Sequence, residues 1–357
     1  MNNRISSTAP IVKRYRSIAT VTVGAVIFLI LVGGLVRMTG SGMGCPDWPK
    51  CFGYMVPPSN PEDIEWRAGK EYPKGVMIVK GEALWEAKET FTTGDSFDPD
   101  NWEKFTAHDY AIYNPLHTWI EYINRLIGVL IGGFALLTLG FAFPIRRMYP
   151  RAFWFSVFGL FMILVQGGIG AYVVRTNLET GAISIHMLIA LLIVALYIFA
   201  LLATYKERLN DRFELPKGVL LLGWVTLILT LVQIIMGTQV REEVDILAKT
   251  LGESQRDQWI DSLAGSIYDV HKYFYYAVTA AAVLWGLRMR PLFDQSAIKY
   301  LTWTMWGTLV AEILLGIGMH RLDIPAVFQP SHLLLATMLF ASAFALLGIM
   351  ILGKIRK

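Results

Sequence analysis

The chain has 357 residues, of which 54% are apolar and 17% charged, with a mean hydropathy of +0.46. A soluble domain of this size needs more charge to cover its surface, which excludes an ordinary soluble enzyme and a disordered chain; a formal net charge of +4 is too small and too scattered for nucleic-acid binding. Two cysteines exclude a disulfide framework, so a polytopic membrane protein remains.

Taken in chain order, eight stretches reach the roughly 20 apolar residues that a transmembrane helix needs: 18–38, 117–141, 152–174, 183–203, 218–239, 269–287, 300–319 and 330–353. Basic residues sort between them. Arg14 and Arg16 precede the first span. Arg146, Arg147 and Arg151 lie between the second and third. Lys206, Arg208, Arg212 and Lys217 follow the fourth, Arg288, Arg290 and Lys299 the sixth, and Lys354, Arg356 and Lys357 come last. The positive-inside bias assigns these segments, and both termini, to the cytoplasm. Residues 1–17 lack a cleavable signal pattern and are short for an organelle transit peptide, so a bacterial plasma membrane is expected. The outer side then receives two acidic loops, 39–116 and 241–268, the first rich in Trp and Pro, and two tight ones, 175–182 and 321–329.

Each odd span ends at its outer edge in Gly and then Arg: Gly33 and Arg37, Gly170 and Arg175, Gly237 and Arg241, Gly316 and Arg321. Three even spans carry a His near their outer end, His186, His271 and His332. Arg175 to His186 and Arg321 to His332 are both 11 residues, and both residue types recur at an offset of 146. This repetition predicts an all-α integral membrane protein with eight transmembrane helices in two pseudo-symmetric four-helix bundles, 1–204 and 205–357.

An ionisable side chain inside a span is costly unless it faces a partner, and neutral imidazole is a common metal ligand. His271 and His332 lie on parallel even helices, 17 and 22 residues from Arg288 and Lys354. At about 1.5 Å per residue their depths agree within about 8 Å. That suits two axial ligands to one haem. The four outer arginines run against the usual charge bias, and pairing with haem propionates accounts for them better than simple anchoring at the headgroups.

Span 2 begins Asn114-Pro115, an N-cap followed by Pro at the first helical position. His117, Glu121 and Asn124 then share one helix face, and the carboxylate among them marks a functional site. Glu312 in span 7 lacks a matching polar face and reads as a structural pairing group. By depth, Asn124 takes the ligand position in the first half and His117 lies about 10 Å above it. Asn is a poor iron ligand, so a first site held by His186 alone keeps one axial face open.

The stretch from Arg37 through Cys45 to Cys51 (RMTGSGMGCPDWPKC), Glu121-Tyr-Ile-Asn-Arg125, Gln166-Gly-Gly-Ile-Gly170 and the pair His271 and His332 together resemble the haem A synthase family, across all eight spans. The resemblance implies oxidation of the C8 methyl of haem O to a formyl group, giving haem A for terminal oxidases. It implies a haem b cofactor on His271 and His332, and a substrate haem in the first half with His186 as one ligand and Glu121 as the catalytic carboxylate. Charge and depth add Arg241 and Arg321 as candidates for the haem b propionates, and Arg37, Arg175 and either Asn124 or His117 as candidates at the substrate haem. Haem O synthase, oxidase-assembly factors and an unidentified electron acceptor are the implied partners, besides membrane lipid. The family's helix 2 motif commonly reads Glu-x-x-His-Arg; here Asn124 replaces that His.

Cys45 and Cys51 belong to the outer, oxidising side, where a structural disulfide is favoured over two thiols or a metal clip. His108 is expected in solvent and His320 on the surface. The competing readings are an electron-transferring cytochrome b and, less favoured, a transporter. Transporters are marked by broken helices, and no even span has a mid-helix Pro.

Overall fold

The computed structural model describes residues 9–81, 83–106, 113–179, 181–205 and 214–353. His108, Lys206, Arg208, Arg212, Lys354, Arg356 and Lys357 lie outside the described residues. Among those described, eight long helices follow one another: α1 (Pro10–Met38), α2 (Pro115–Ile145), α3 (Pro150–Arg175), α4 (Ala182–Ala203), α5 (Val219–Thr250), α6 (Ile267–Met289), α7 (Ser296–Arg321) and α8 (Phe328–Gly353). Seven are long and apolar enough to cross a membrane, and α6 is the exception. Its first three turns hold Asp269, His271, Lys272 and four tyrosines, which dilute an otherwise apolar helix. Eight helices thus stand where eight spans were expected, with seven qualifying on hydropathy. Large apolar side chains on their outer surfaces stay exposed, among them Leu164, Leu221 and Leu314 at 63–68%, as a lipid-facing belt requires.

The helix boundaries follow local chemistry. Asn114 Oδ1 accepts from the amides of Leu116 (3.0 Å) and His117 (3.3 Å), so the expected cap at the start of α2 is present. Ser266 caps α6 by accepting from the Tyr268 amide at 3.1 Å. The expected outer loop 241–268 is corrected: α5 runs on to Thr250. Hydropathy ends near residue 239, but Glu242, Glu243, Leu247 and Lys249 are good helix formers. The first breaker is Gly252, at φ +80°.

The chain forms two compact units. The first comprises residues 1–34, 130–166 and 184–357. At one end of it Val12, Tyr15 and Ala19 of α1, Ala142 and Ile145 of α2, Ala152 of α3 and Ala203 of α4 share one buried cluster. Arg16 is held there by Thr204, donating to its hydroxyl (3.0 Å) and its carbonyl (2.5 Å). The second-half helices pack along α7 against α8, α5 against α6, and α5 against α8. Trp285 is fully buried on α6, and its indole lies where any side chain at Gly223 of α5 would stand.

The second unit comprises residues 35–129 and 167–183. The segment 39–116, expected only as a hydrophilic loop, carries five short strands: β1 (Glu71–Tyr72), β2 (Met77–Lys80), β3 (Ala83–Ala87), β4 (Phe91–Thr92) and β5 (Trp102–Lys104). They form an antiparallel β2-β3-β5 sheet and a β1-β4 pair. Successive strand residues point to opposite faces. Met77 accordingly joins a core of Cys45, Cys51, Phe52, Ile64 and Leu84, whereas Ile78 joins Tyr72, Val76, Ala87 and Trp102. The Trp-rich composition is explained by this second core, in which Trp102 meets Tyr72, Phe91 and Phe97 with ring centroids 5.1–6.0 Å apart. Gly53 sits at φ +79°, where a Cβ would meet the Gly75 carbonyl at 2.1 Å, so the turn between these cores requires glycine.

Candidate functional site

In the second unit the site is built on the first turns of α2. Glu121 is 4% exposed. Its Oε2 accepts from the Cys45 amide at 2.8 Å, and its Oε1 accepts from Arg125 Nη2 at 2.5 Å, one turn on. Arg125 Nη1 donates to the carbonyls of Asp47 and Lys50, both at 2.8 Å. Thr118 donates its hydroxyl to the Gly44 carbonyl at 2.8 Å. A Cβ on Gly44 would fall 2.4 Å from the His117 carbonyl, so glycine permits this backbone approach. Cys45 and Cys51 form a disulfide, as expected for the outer loop. Inside that ring, Asp47 accepts from the amides of Phe52 (2.6 Å) and Gly53 (2.9 Å). Burial pushes the Asp47 carboxyl above its ordinary range, and those amides and Arg125 offset only part of the shift.

The loop 44–53 is therefore clamped onto α2 by one arginine, one threonine and one carboxylate. Each carboxylate oxygen has a second lone pair, so Glu121 retains acceptor capacity for a proton. A disulfide closing a ring of sequence separation 6 contributes about 2 kcal/mol through loop entropy. The double substitution C45A/C51A is expected to speed amide exchange at Cys51–Tyr54 by about 30-fold. Hydrogen exchange read by mass spectrometry checks this, and unchanged protection would contradict the clamp.

The other members of the predicted α2 set are placed less tightly. Asn124 is half-buried, and its Oδ1 is enclosed without a hydrogen-bond partner. His117 is half-buried in the first turn. Arg175 ends α3, is exposed, and lines a cavity of ≈ 430 Å³ with Pro46, Asp47, Trp48, Lys50 and Glu86. Arg37 lies in the last turn of α1.

In the first unit three helices repeat one device. His186, His271 and His332 are each the fifth residue of their helix, α4, α6 and α8. His186 and His271 keep Nδ1 enclosed in protein without a hydrogen bond, whereas His332 Nδ1 lies 2.6 Å from Glu312 Oε2. The imidazoles of His271 and His332 face one another, with ring centroids 6.4 Å apart and planes at 81°. A histidine–metal bond is about 2 Å, so two imidazoles on opposite sides of one ion have centroids about 6 Å apart, and the observed pair meets that spacing. Among the described residues no cluster of three or more His, Cys, Asp or Glu could hold a metal ion. Two facing histidines suit an iron whose remaining ligands come from a porphyrin.

Two glycines make room for these rings. A Cβ at Gly237 would stand 3.1 Å from His271 Cε1, and one at Gly316 3.7 Å from His332 Cε1. In α5 and α7 the Gly of the Gly–Arg repeat therefore marks where the helix faces an imidazole. Gln166 donates to the His186 carbonyl at 3.0 Å, and Gln233 to the His271 carbonyl at 3.1 Å. Arg241 is paired with Asp245 at 2.5 Å, while Arg321 is exposed at the end of α7.

Some site residues were missed from sequence. Arg125, Gln166 and Gln233 all lie within stretches that carry the family resemblance or precede its arginines, yet their partners are remote in sequence. His320, expected as a surface histidine, sits near the end of α7. It is half-buried, with Nδ1 2.7 Å from the Tyr268 hydroxyl and Nε2 3.1 Å from Lys272 Nζ.

The fold and these placements define a multi-pass helical membrane protein with paired inward imidazoles and a disulfide-tied carboxylate. The chain belongs to the COX15-CtaA family of cytochrome oxidase assembly proteins, whose model matches residues 16–91 and 102–344. It is 24% identical over 335 residues to a protein named heme A synthase from Shewanella oneidensis, covering 87% of this chain and 89% of that one. It is 27% identical over 247 residues to the heme A synthase of Rhodopseudomonas palustris, covering 65% and 57% of the two chains. With that of Brucella ovis it shares 23% identity over 344 residues, covering 89% and 87%.

Proposed function

We propose that this protein is a haem A synthase, oxidising the C8 methyl of haem O to a formyl group for terminal oxidase assembly. The observation that carries this reading is the near end-to-end similarity to relatives bearing that name. The facing pair His271 and His332 supports a resident haem b in the second half, with Arg241 and Arg321 at the propionates. The Glu312 carboxylate, 2.6 Å from His332 Nδ1, leaves Nε2 of that ring as the nitrogen for ligation. When bound, that haem supplies one-electron transfer toward an outside acceptor. In this reading the two bundles are 1–204 and 205–357, set in a bacterial plasma membrane with both termini cytoplasmic. Haem O synthase and oxidase-assembly factors are the proposed partners.

Converting a methyl to a formyl group adds one oxygen, here from water, and releases four protons and four electrons. Positive charge develops at the carbon as each electron pair leaves. Glu121 supplies negative charge toward it and takes a proton on an oxygen lone pair not used by Cys45 or Arg125. Arg125 and the 44–53 loop hold that carboxylate in one place before the substrate arrives. His186 would hold the substrate iron, Arg37 and Arg175 would pair with its propionates, and Asn124 and His117 are the further substrate-haem candidates.

Expression in a host that makes haem O but lacks its own synthase tests the reading. Extracted haem A is the expected product. Haem b alone in the purified protein would point to an electron-transferring cytochrome, and no haem at all to a transporter.

A further inference from the structure

Three of the odd helices, α3, α5 and α7, carry a polar side chain at one repeated position. Gln166 lies 9 residues before Arg175, Gln233 lies 8 before Arg241, and Glu312 lies 9 before Arg321. Glu312 is also 146 residues after Gln166, the same offset that relates His186 to His332. In the first two cases the side-chain amide donates to the backbone carbonyl of the histidine on the following helix. A carboxylate has no N–H to give, so Glu312 cannot repeat that bond. Instead its Oε2 stands 2.6 Å from Nδ1 of the His332 ring, at ion-pair distance. Both groups are well enclosed, with side-chain exposures of 12% and 24%. Neither of these two atoms meets another hydrogen-bond partner. With Glu rather than Gln at this position, the contact falls on the imidazole of the histidine and not on its backbone. His271 has no such neighbour: its Nδ1 is enclosed and unbonded, and Gln233 touches only its carbonyl.

We infer that Glu312 is a positioning residue for a haem ligand: its carboxylate accepts the Nδ1–H of His332, fixes Nε2 as the nitrogen offered to iron, and makes His332 the more basic of two unequal axial imidazoles. This rests on the reading of His271 and His332 as an axial pair. An outer-sphere carboxylate on a ligating histidine fixes its tautomer and raises its basicity. A more basic ligand beside a buried negative charge favours the ferric over the ferrous state. Glu312 therefore lowers the potential of this haem relative to a glutamine at the same place. Asymmetry follows from the sequence itself, because only one histidine of the pair faces a carboxylate.

The test is a redox titration of the purified full-length protein, followed on its low-spin haem, for wild type, E312Q and E312D. E312Q restores the residue type of Gln166 and Gln233 at nearly constant volume. It is expected to keep the low-spin spectrum while the oxidised-to-reduced ratio at a fixed poise falls about tenfold, which is about 59 mV for one electron. E312D keeps the charge but shortens the reach, and a fall of about threefold is expected. The electron paramagnetic resonance signal of the ferric haem should change in the same order, a response that simple loosening of the helix pair would not produce. An unshifted potential in either variant, or a shift in E312D as large as in E312Q, overturns the assignment. A wild-type protein with no low-spin haem overturns the reading of the histidine pair itself, and this inference with it. A normal low-spin signal with an unshifted potential overturns only the role of Glu312.

Discussion

Substituting Glu121 by Gln is expected to cut haem A formation by about 10²–10³-fold while leaving haem content unchanged. The argument starts from what Gln preserves. It has the same length, and its one remaining oxygen can accept from either the Cys45 amide or Arg125, though not from both as the carboxylate does. The negative charge is lost, and with it both proton acceptance and stabilisation of a developing positive centre. A purely structural Glu121 predicts a different result. Breaking a buried ion pair by removing one partner costs about 3–5 kcal/mol. That cost would appear as freed exchange across loop 44–53 and as lower yield, with turnover per folded molecule intact. Measuring haem A produced per unit of purified protein, beside hydrogen exchange at Cys45, separates the two. Near-normal turnover with a loosened loop would remove Glu121 from the chemistry. Substituting Arg125 by Lys gives the complementary arm. It keeps the charge beside Glu121 but cannot span the two loop carbonyls in a fixed fork, so the loop should loosen more than turnover falls.

The long-range plan of the protein was legible because lipid and repetition both leave one-dimensional traces. Apolar runs marked the helices to within a few residues wherever hydropathy and helix propensity ended together, as at Arg175 and Ala203. They failed at α5, where the helix continues through residues that are polar and still good helix formers. The strands of segment 39–116 were illegible for another reason. They are two to five residues long and draw their order from aromatic contacts such as Trp102 with Tyr72, which link positions far apart with no period. His186 and His332 were visible through the 146-residue offset, and their neighbours were not. Gly237 reads as part of a Gly–Arg repeat, but that it clears space for His271 appears only when α5 lies against α6. Glu312 lacked polar company on its own helix face because its partner, His332, is on α8. Arg125 was hidden by adjacency: beside Glu121 it reads as part of a motif, while its two loop carbonyls lie 78 and 75 residues earlier.

Removing the second-half ligands should leave a protein whose residual haem is high-spin. In H271A/H332A the facing imidazoles that lie 6.4 Å apart are gone, so the low-spin haem b signal is expected to disappear entirely, and haem A formation with it. What remains bears on the first half. There His186 is the proposed iron ligand, and Asn124 stands at the ligand position that the sequence repeat assigns to α2. Asn124 Oδ1 is enclosed and has no partner in the protein, which suits a hydrogen bond to water better than a bond to iron. His117, seven residues earlier, is about 10 Å away along the helix, too far to exchange places with Asn124 without unwinding two turns. The first site should therefore have one protein ligand and, with substrate bound, a high-spin spectrum. Adding N124H to the double variant is expected to convert that residual signal to low-spin, because it restores an imidazole at the depth where the repeat lacks one. A low-spin residual signal before that change would assign the sixth ligand to His117 and overturn the depth argument.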